Sequence, residues 1–473
     1  MKVVFVLPPY DYSRSVGNTR KRAQIGLLPP LGVGYLAAYL ESRGHSAALV
    51  DAVAEQLDVA AAAAAVAAQR PDVVGISSFT TLTPNDAYAM ARELRRILPE
   101  TPLVMGGPHV TSFAREILQE CPEVDALIPG DGEIPLADLV DRVAAGQSFA
   151  DTPGVLYRDA AGNVAVGPPA PVVKNIDIFP HPARHIYKHH LYLPLPSLSA
   201  RRPVTSAITA RGCPWARCRF CYQGGEFASP YRRRSPENVV DELGRLVKDR
   251  GIRNIVFWDD NFCFMPKWIE AFCDALDRER LGLIWSVLSR VNTVTPEMLR
   301  RMAASGCYSI QYGIESGHQG MLDLVNKGHT LEQCRNAVRW AKRAGMDTRA
   351  FFVIGFPTET PEMSEHTIRF ACELNVDYAV FFSYHVQPGT SLAELALCEG
   401  RCGDYQAQQR PSYVPNTYPS RDALDRMVKT AYRRYYFRPA YMGRALWRLV
   451  KRPSLIKNHL MGLYYWVGLM AAR

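Results

Sequence analysis

Short apolar runs that alternate with stretches of helical period constrain this chain more than any other feature. Over the first 150 residues the runs are "VVFVL" (3–7), "AALVDA" (47–52), "VVGISS" (73–78), "LVMGG" (103–107) and "ALIP" (126–129). Helical stretches at 31–43, 56–69, 84–98, 111–119 and 133–144 separate them. The alanine run at 60–65 falls inside one of these, and alanine is the best helix former, so its low complexity reads as helix. Apolar strands alternating with helices mean βα units on a parallel sheet.

Five such units predict an α/β, doubly wound (Rossmann-like) domain over 1–150, with its binding crevice at the carboxyl ends of the strands. Residues 151–195 read as a connector: "GVLYRDAAGNVAVG" predicts a hairpin around Ala161-Gly162-Asn163, and "PPAPVV" and "FPHPARH" add turns. A second alternation follows, with strands expected at 204–210, 254–258, 283–288, 308–313, 349–354 and 378–384. Its helices carry start signals: Ser235-Pro236, Thr295-Pro296-Glu297 and the capping box Thr330-Leu331-Glu332-Gln333. Val239, Val240, Leu243, Leu246 and Val247 form one apolar face, and Gly251 follows that helix's end. Six repeats predict a partial (β/α)6 barrel over 196–392, whose chemistry belongs in the loops after the strands.

The chain has 473 residues, 48% of them hydrophobic and 21% charged, the composition of a globular protein. "MKVVFVLPPYDYS" has too short an apolar run for a secretion signal, and no run has the length of a membrane span. The expected location is the cytoplasm. The net charge of +9 resides in one segment: from Arg421 to Arg473 there are twelve Lys/Arg against Asp422 and Asp425. That distribution argues against a nucleic-acid surface. The segment, part of a basic helical domain expected over 393–473, mixes arginine with Tyr, Trp and Leu at helical spacing. Three roles stay open for it: a solvated helix packed on the barrel, a closure of a substrate chamber, or peripheral contact with an anionic membrane.

Eleven cysteines are present, and eight of them are scattered as small buried hydrophobes would be. The other three, Cys213, Cys218 and Cys221, crowd into "RGCPWARCRFCYQGG" directly after the first strand of the second pattern. A reducing compartment disfavours a disulfide knot. Zinc usually takes four ligands, and no fourth Cys or His lies nearby, although a three-ligand zinc site stays open. An iron–sulfur cluster on three thiolates makes better physical sense, since it leaves one iron open to a small molecule.

These residues resemble the radical S-adenosylmethionine (SAM) enzymes, whose signature is C-x3-C-x2-C with an aromatic before the last cysteine, here Phe220. The first spacing departs, with four residues between Cys213 and Cys218. The resemblance implies a 4Fe–4S cluster on the three cysteines, with SAM at the open iron. "FWDDNF" supplies Asp259 and Asp260 where the family contacts the methionine end of SAM. "YGIESG" places Glu315 at the ribose, "VIGFPTET" places Gly355 near the adenine, and "QPGT" (387–390) resembles the end of the sixth strand.

Family members with a doubly wound domain in front usually bind cobalamin there. "GISSFTTL" and "VMGGPH" resemble their serine and double-glycine motifs, through Ser77, Ser78, Thr80, Gly106 and Gly107. The D-x-H-x-x-G motif that brings a histidine beneath the cobalt is absent, and the domain's histidines are His45 and His109. The resemblance thus implies a cobalamin-dependent methyltransferase acting on an unactivated carbon, through a 5′-deoxyadenosyl radical and methylcobalamin. A cyclase or rearrangement enzyme with the same cofactors is the alternative. The implied partners are a small-molecule or peptide substrate and an electron donor such as flavodoxin or ferredoxin.

Overall fold

Both alternations become parallel sheets in the computed structural model, which describes residues 1–9, 26–78, 84–159, 161–402 and 413–451. The chain divides into two units, Met1–Leu193 and Pro194–Arg473.

The first unit runs β1 (Lys2–Leu7), α1 (Leu31–Ser42), β2 (Ser46–Asp51), α2 (Val59–Ala67), β3 (Val73–Ser77), α3 (Pro84–Ile97) and β4 (Leu103–Gly106). It continues through α4 (Pro108–Glu120), β5 (Ala126–Ile128), α5 (Glu133–Ala144), β6 (Leu156–Arg158) and β7 (Val164–Val166). The sheet order is β2-β1-β3-β4-β5-β6-β7, and the first five strands pair in parallel. Alternate side chains go to opposite faces, which is why there are two cores. Val4, Val6 and Ile76 pack in one core, and Val3, Phe5 and Val104 in the other. The alanine helix α2 starts where Asp58 accepts the Ala61 N–H at 2.8 Å. The expected hairpin forms as β6 and β7, but it is more than a connector. It adds antiparallel to β5, and the compact unit extends to Leu193.

The second unit holds β8 (Val204–Ala207), β9 (Ala210–Arg211), β10 (Arg232–Arg233), α6 (Pro236–Arg250), β11 (Asn254–Phe257), α7 (Pro266–Glu279) and β12 (Ile284–Ser289). After these come α8 (Pro296–Ala304), β13 (Cys307–Glu315), α9 (Gln319–Leu324), α10 (Leu331–Arg343), β14 (Asp347–Ile354) and α11 (Pro361–Leu374). The described part ends with β15 (Tyr378–Ser383), α12 (Ser391–Glu399), α13 (Arg421–Tyr436) and α14 (Pro439–Lys451). The single strand expected over 204–210 is broken: β8 joins the sheet, while β9 turns off to pair with β10. Six parallel strands follow the order β15-β14-β13-β12-β11-β8, so the sheet stays open with β8 and β15 at its edges. Ser235, Thr295 and Thr330 cap α6, α8 and α10 as their sequence signals require, and Gly251 ends α6 in the left-handed conformation.

Helix α13 covers the β15 edge. The Tyr436 hydroxyl accepts the Ala379 N–H at 3.1 Å and donates to the Ala379 carbonyl at 2.8 Å. One turn earlier, the Tyr432 hydroxyl accepts the Phe381 N–H at 3.2 Å. The helix spacing of four matches the strand spacing of two, so successive tyrosines meet successive outward amides. Leu424, Ala431 and Tyr435 of α13 enter the core beneath. Of the roles open for the basic segment, packing on the sheet holds for 421–436; residues 452–473 lie outside the described residues.

Candidate functional site

The loop after β9 carries the three cysteines: Cys218 is buried, and Cys213 and Cys221 are partly so. Gly212 introduces it at a φ of +76°, where a β-carbon would stand 2.6 Å from the Ser229 carbonyl. Two segments clamp the loop. The Arg219 N–H donates to Val325 at 3.0 Å and its guanidinium to Leu324 at 3.2 Å, while its carbonyl accepts the Leu392 N–H at 3.0 Å. The Trp215 indole N–H donates to Asn326 at 3.2 Å. Its ring lies 4.6 Å from the Arg290 guanidinium, a cation–π contact. Phe220 packs edge-on against Phe356 at 5.5 Å.

Two cations face Cys218. Arg290 approaches its sulfur at 3.6 Å, and the Lys327 ammonium sits 5.6 Å above the Phe220 ring. Burial pushes the Cys218 thiol up, while Lys327 and Arg290 pull it toward the thiolate. Lys327 also bonds Glu315 at 2.8 Å, a pair about one-tenth exposed. Burial works to lower the lysine, but Glu315 and Cys218 prevail and hold it above its ordinary value. Gly313 makes room for this pair, since a β-carbon there would stand 2.6 Å from the Glu315 carboxylate.

The two aspartates of "FWDDNF" separate. Asp259 is buried and accepts from the Thr209 N–H at 2.9 Å and hydroxyl at 2.7 Å, tying the end of β11 to that of β8. Its second oxygen has no hydrogen-bond partner. Asp260 opens to solvent on one side. Partial loss of water, with the Asp259 charge beside it, pushes its carboxyl up to about 6, against the Gln223 hydrogen bond.

Gly355 adopts a φ of +84°, yet the space its missing side chain leaves is filled by Leu424 of α13, 2.8 Å from an ideal β-carbon. Its N–H donates to Glu359 at 2.8 Å. The glycine therefore permits a tight turn beneath α13. In "QPGT", the Gly389 carbonyl accepts the Glu226 N–H at 3.0 Å, tying the sixth-strand loop to the end of the cysteine loop.

In the first unit, Ser77 pairs in register with Gly106, and the Ser78 N–H donates to the Gly106 carbonyl at 2.8 Å. A β-carbon on Gly107 would stand 2.6 Å from the Ser78 carbonyl, so that glycine is needed for the close approach of the strands' ends. Thr80 lies outside the described residues. His45 bonds Asp141 at 2.8 Å. His109 is buried beside Tyr88 at 3.3 Å and Phe113, and burial pushes it down to about 4, so it is neutral.

Arg290, Lys327 and Trp215 were not singled out in the sequence. Only "NKG" after α9, a lysine between turn residues, carried a local signal for any of them. Among the described residues, no three His, Cys, Asp or Glu side chains stand grouped to hold a metal ion.

An open six-stranded parallel sheet with a cysteine loop after its first strand, preceded by a doubly wound domain, is the arrangement expected of a radical SAM protein with a cobalamin-type front domain. The comparisons agree. Residues 207–371 match the model of the radical SAM superfamily, and residues 25–140 that of the B12 binding domain. An uncharacterized methyltransferase of Pyrococcus horikoshii is 33% identical, the match covering 98% of each chain. The anaerobic magnesium-protoporphyrin IX monomethyl ester cyclase of Rubrivivax gelatinosus is 30% identical, over 93% of this chain and 78% of that one. The solved structure of the cobalamin-dependent S-adenosylmethionine radical enzyme OxsB, with aqua-cobalamin and S-adenosylmethionine bound, superposes with a TM-score of 0.75. That match has 16% identity and covers 99% of this chain and 71% of that chain. The chain belongs to the B12-domain-containing radical SAM enzymes, whose cofactors are a 4Fe–4S cluster, SAM and cobalamin.

The residues present fit these groups. Three thiols on one loop, with an arginine N–H on one sulfur and a lysine behind it, suit an anionic sulfur-bridged cluster. At the carboxyl ends of β3 and β4 stand Ser77, Ser78, Gly106 and Gly107, residues that suit a group lying along the backbone. The end of β3 adjoins β1, where the strand order reverses, the position at which doubly wound sheets bind their ligands.

Proposed function

We propose that this enzyme methylates an unactivated carbon of a small-molecule substrate. When bound, the cluster with SAM supplies a carbon-centred radical that takes a hydrogen atom from the substrate, and cobalamin supplies the methyl group. The chain's own residues hold and orient. Cys213, Cys218 and Cys221 are the cluster ligands, and Arg290 and Lys327 balance their charge. Glu315, fixed by Lys327, takes the ribose hydroxyls, Asp260 the methionine ammonium, Phe220 stands beside the cluster, and the turn at Gly355 lies near the adenine. Ser77, Ser78, Gly106 and Gly107 cradle the cobalamin in the front unit, together with Thr80.

The observation that carries methyl transfer is the placement of the two histidines within residues 1–150, His45 and His109. His45 is held by Asp141 and His109 is enclosed by Tyr88 and Phe113, so both imidazoles are already engaged within the protein and neither would serve to hold cobalamin. Cobalamin held here without a histidine from this domain would be suited to supply its methyl group to a substrate radical. A flavodoxin- or ferredoxin-type protein supplies the electron.

The cyclase relative, matched over most of this chain, favours a second reading in which the same radical closes a ring. Anaerobically reconstituted, cobalamin-loaded protein given methyl-labelled SAM and a reductant distinguishes the two. Labelled cobalamin together with S-adenosylhomocysteine is the expected result. Production of 5′-deoxyadenosine with the cobalt never labelled would replace methyl transfer by cyclisation or rearrangement.

A further inference from the structure

Helix α14 presents its apolar residues away from the protein. Met442 is 54% exposed, and Leu446 and Val450 are each 64% exposed, at a spacing of four that aligns them along one side. Trp447 beside them is 60% exposed. The opposite side faces the turn between α11 and β15. The Tyr441 hydroxyl donates to the Asp377 carbonyl at 3.2 Å, and the Arg444 guanidinium to the Asn375 carbonyl at 2.8 Å. A helix whose polar side is used for docking and whose apolar side faces solvent reverses the usual orientation in a globular protein.

The charge around it decides what covers it. From Arg421 to Lys451 the sequence has nine Lys/Arg and only Asp422 and Asp425, and residues 452–473 add Arg452, Lys457 and Arg473 with no acid. Two copies of such a surface repel each other, which disfavours a dimer through α14. An anionic bilayer attracts the same surface, and a strongly amphipathic helix of low mean hydropathy with Trp, Leu and Met on one side suits the interfacial plane. Among the described residues no helix is long and apolar enough to cross a membrane.

We propose that α14 docks the enzyme on an anionic phospholipid surface, with Met442, Leu446 and Val450 inserted at the level of the headgroups. The test is co-sedimentation of the full-length protein with phosphatidylcholine vesicles, with and without one-third phosphatidylglycerol. The protein pellets with the anionic vesicles only, and high salt releases it. Leu446→Glu with Val450→Glu lowers the bound fraction roughly tenfold, with an unchanged circular dichroism spectrum. Met442→Glu alone gives a smaller loss, and it serves should the double variant misfold. Full-length protein that stays in the supernatant overturns the proposal. In that event, a dimer dispersed by Leu446→Glu would identify a second copy as the occupant, and a monomer would point to the chain's own last residues. Unchanged pelleting of the variants overturns it too, because the contact then lies elsewhere.

Discussion

The Trp215 indole occupies the space in which a side chain on Gly328 would begin. A β-carbon there would stand 2.1 Å from the ring, and Gly328 has a φ of +68°. Trp215 lies within the four residues that separate Cys213 from Cys218, so the longer cysteine loop is seated by a notch on a distant segment.

Gly328→Ala is therefore expected to displace the indole and loosen the loop. The cost is about 1–3 kcal/mol in stability, with reduced iron retention after anaerobic reconstitution. Because the two residues share one space, Gly328→Ala with Trp215→Ala will lose less than the sum of the single changes. Strict additivity in a double-mutant cycle would show that the notch does not position the loop.

Glu359 carries a pH dependence. Fully buried, it accepts from Gly355 at 2.8 Å, Phe356 at 2.9 Å and Ser364 at 2.6 Å. Burial outweighs these bonds and pushes its carboxyl from 4.5 up to about 7. The folded state thus binds its proton more tightly than the unfolded chain does. Its contribution is complete below about pH 4.5 and is lost as the pH rises through about 7, amounting to about 3 kcal/mol. Glu359→Gln will flatten the melting temperature between about pH 5 and pH 8. An equally steep fall in the variant assigns the dependence to another group.

The two adjacent aspartates will respond differently. Asp259→Ala removes the tie to Thr209 and costs about 2 kcal/mol in denaturant melts. Asp260→Asn leaves the melt unchanged but weakens SAM binding about tenfold, the worth of one charge-assisted hydrogen bond. Equal melts for the two variants would refute this division of roles.

Tyr436→Phe strips Ala379 of both partners at the sheet edge and is expected to cost about 1–2 kcal/mol, measured by chemical denaturation. Tyr432→Phe, which removes one bond to Phe381, will cost less.

The strands, the helix starts at Ser235, Thr295 and Thr330, and the cysteine loop were legible because each rests on local periodicity or spacing. The notch at Gly328, the Glu315–Lys327 pair and the tyrosine cover of β15 were not, since each joins residues that only the fold brings together. Gly355 shows the limit of a motif. The motif "VIGFPTET" marks the residue, but its left-handed backbone and the neighbour that fills its space, Leu424 from a helix sixty-odd residues on, come from the fold. The hairpin at 156–166 was legible as a hairpin, whereas its joining of β5 depended on an edge that no local pattern records.

A sheet finished by phenol groups rather than by a seventh strand is fastened like a laced seam, one knot per helical turn. Unlacing it, by cutting the chain before Tyr432, would bare the amides of β15 as a template on which another chain could polymerise. The basic helix is thus also a guard against self-assembly, and damage to it should first appear as lost solubility, before any change in chemistry.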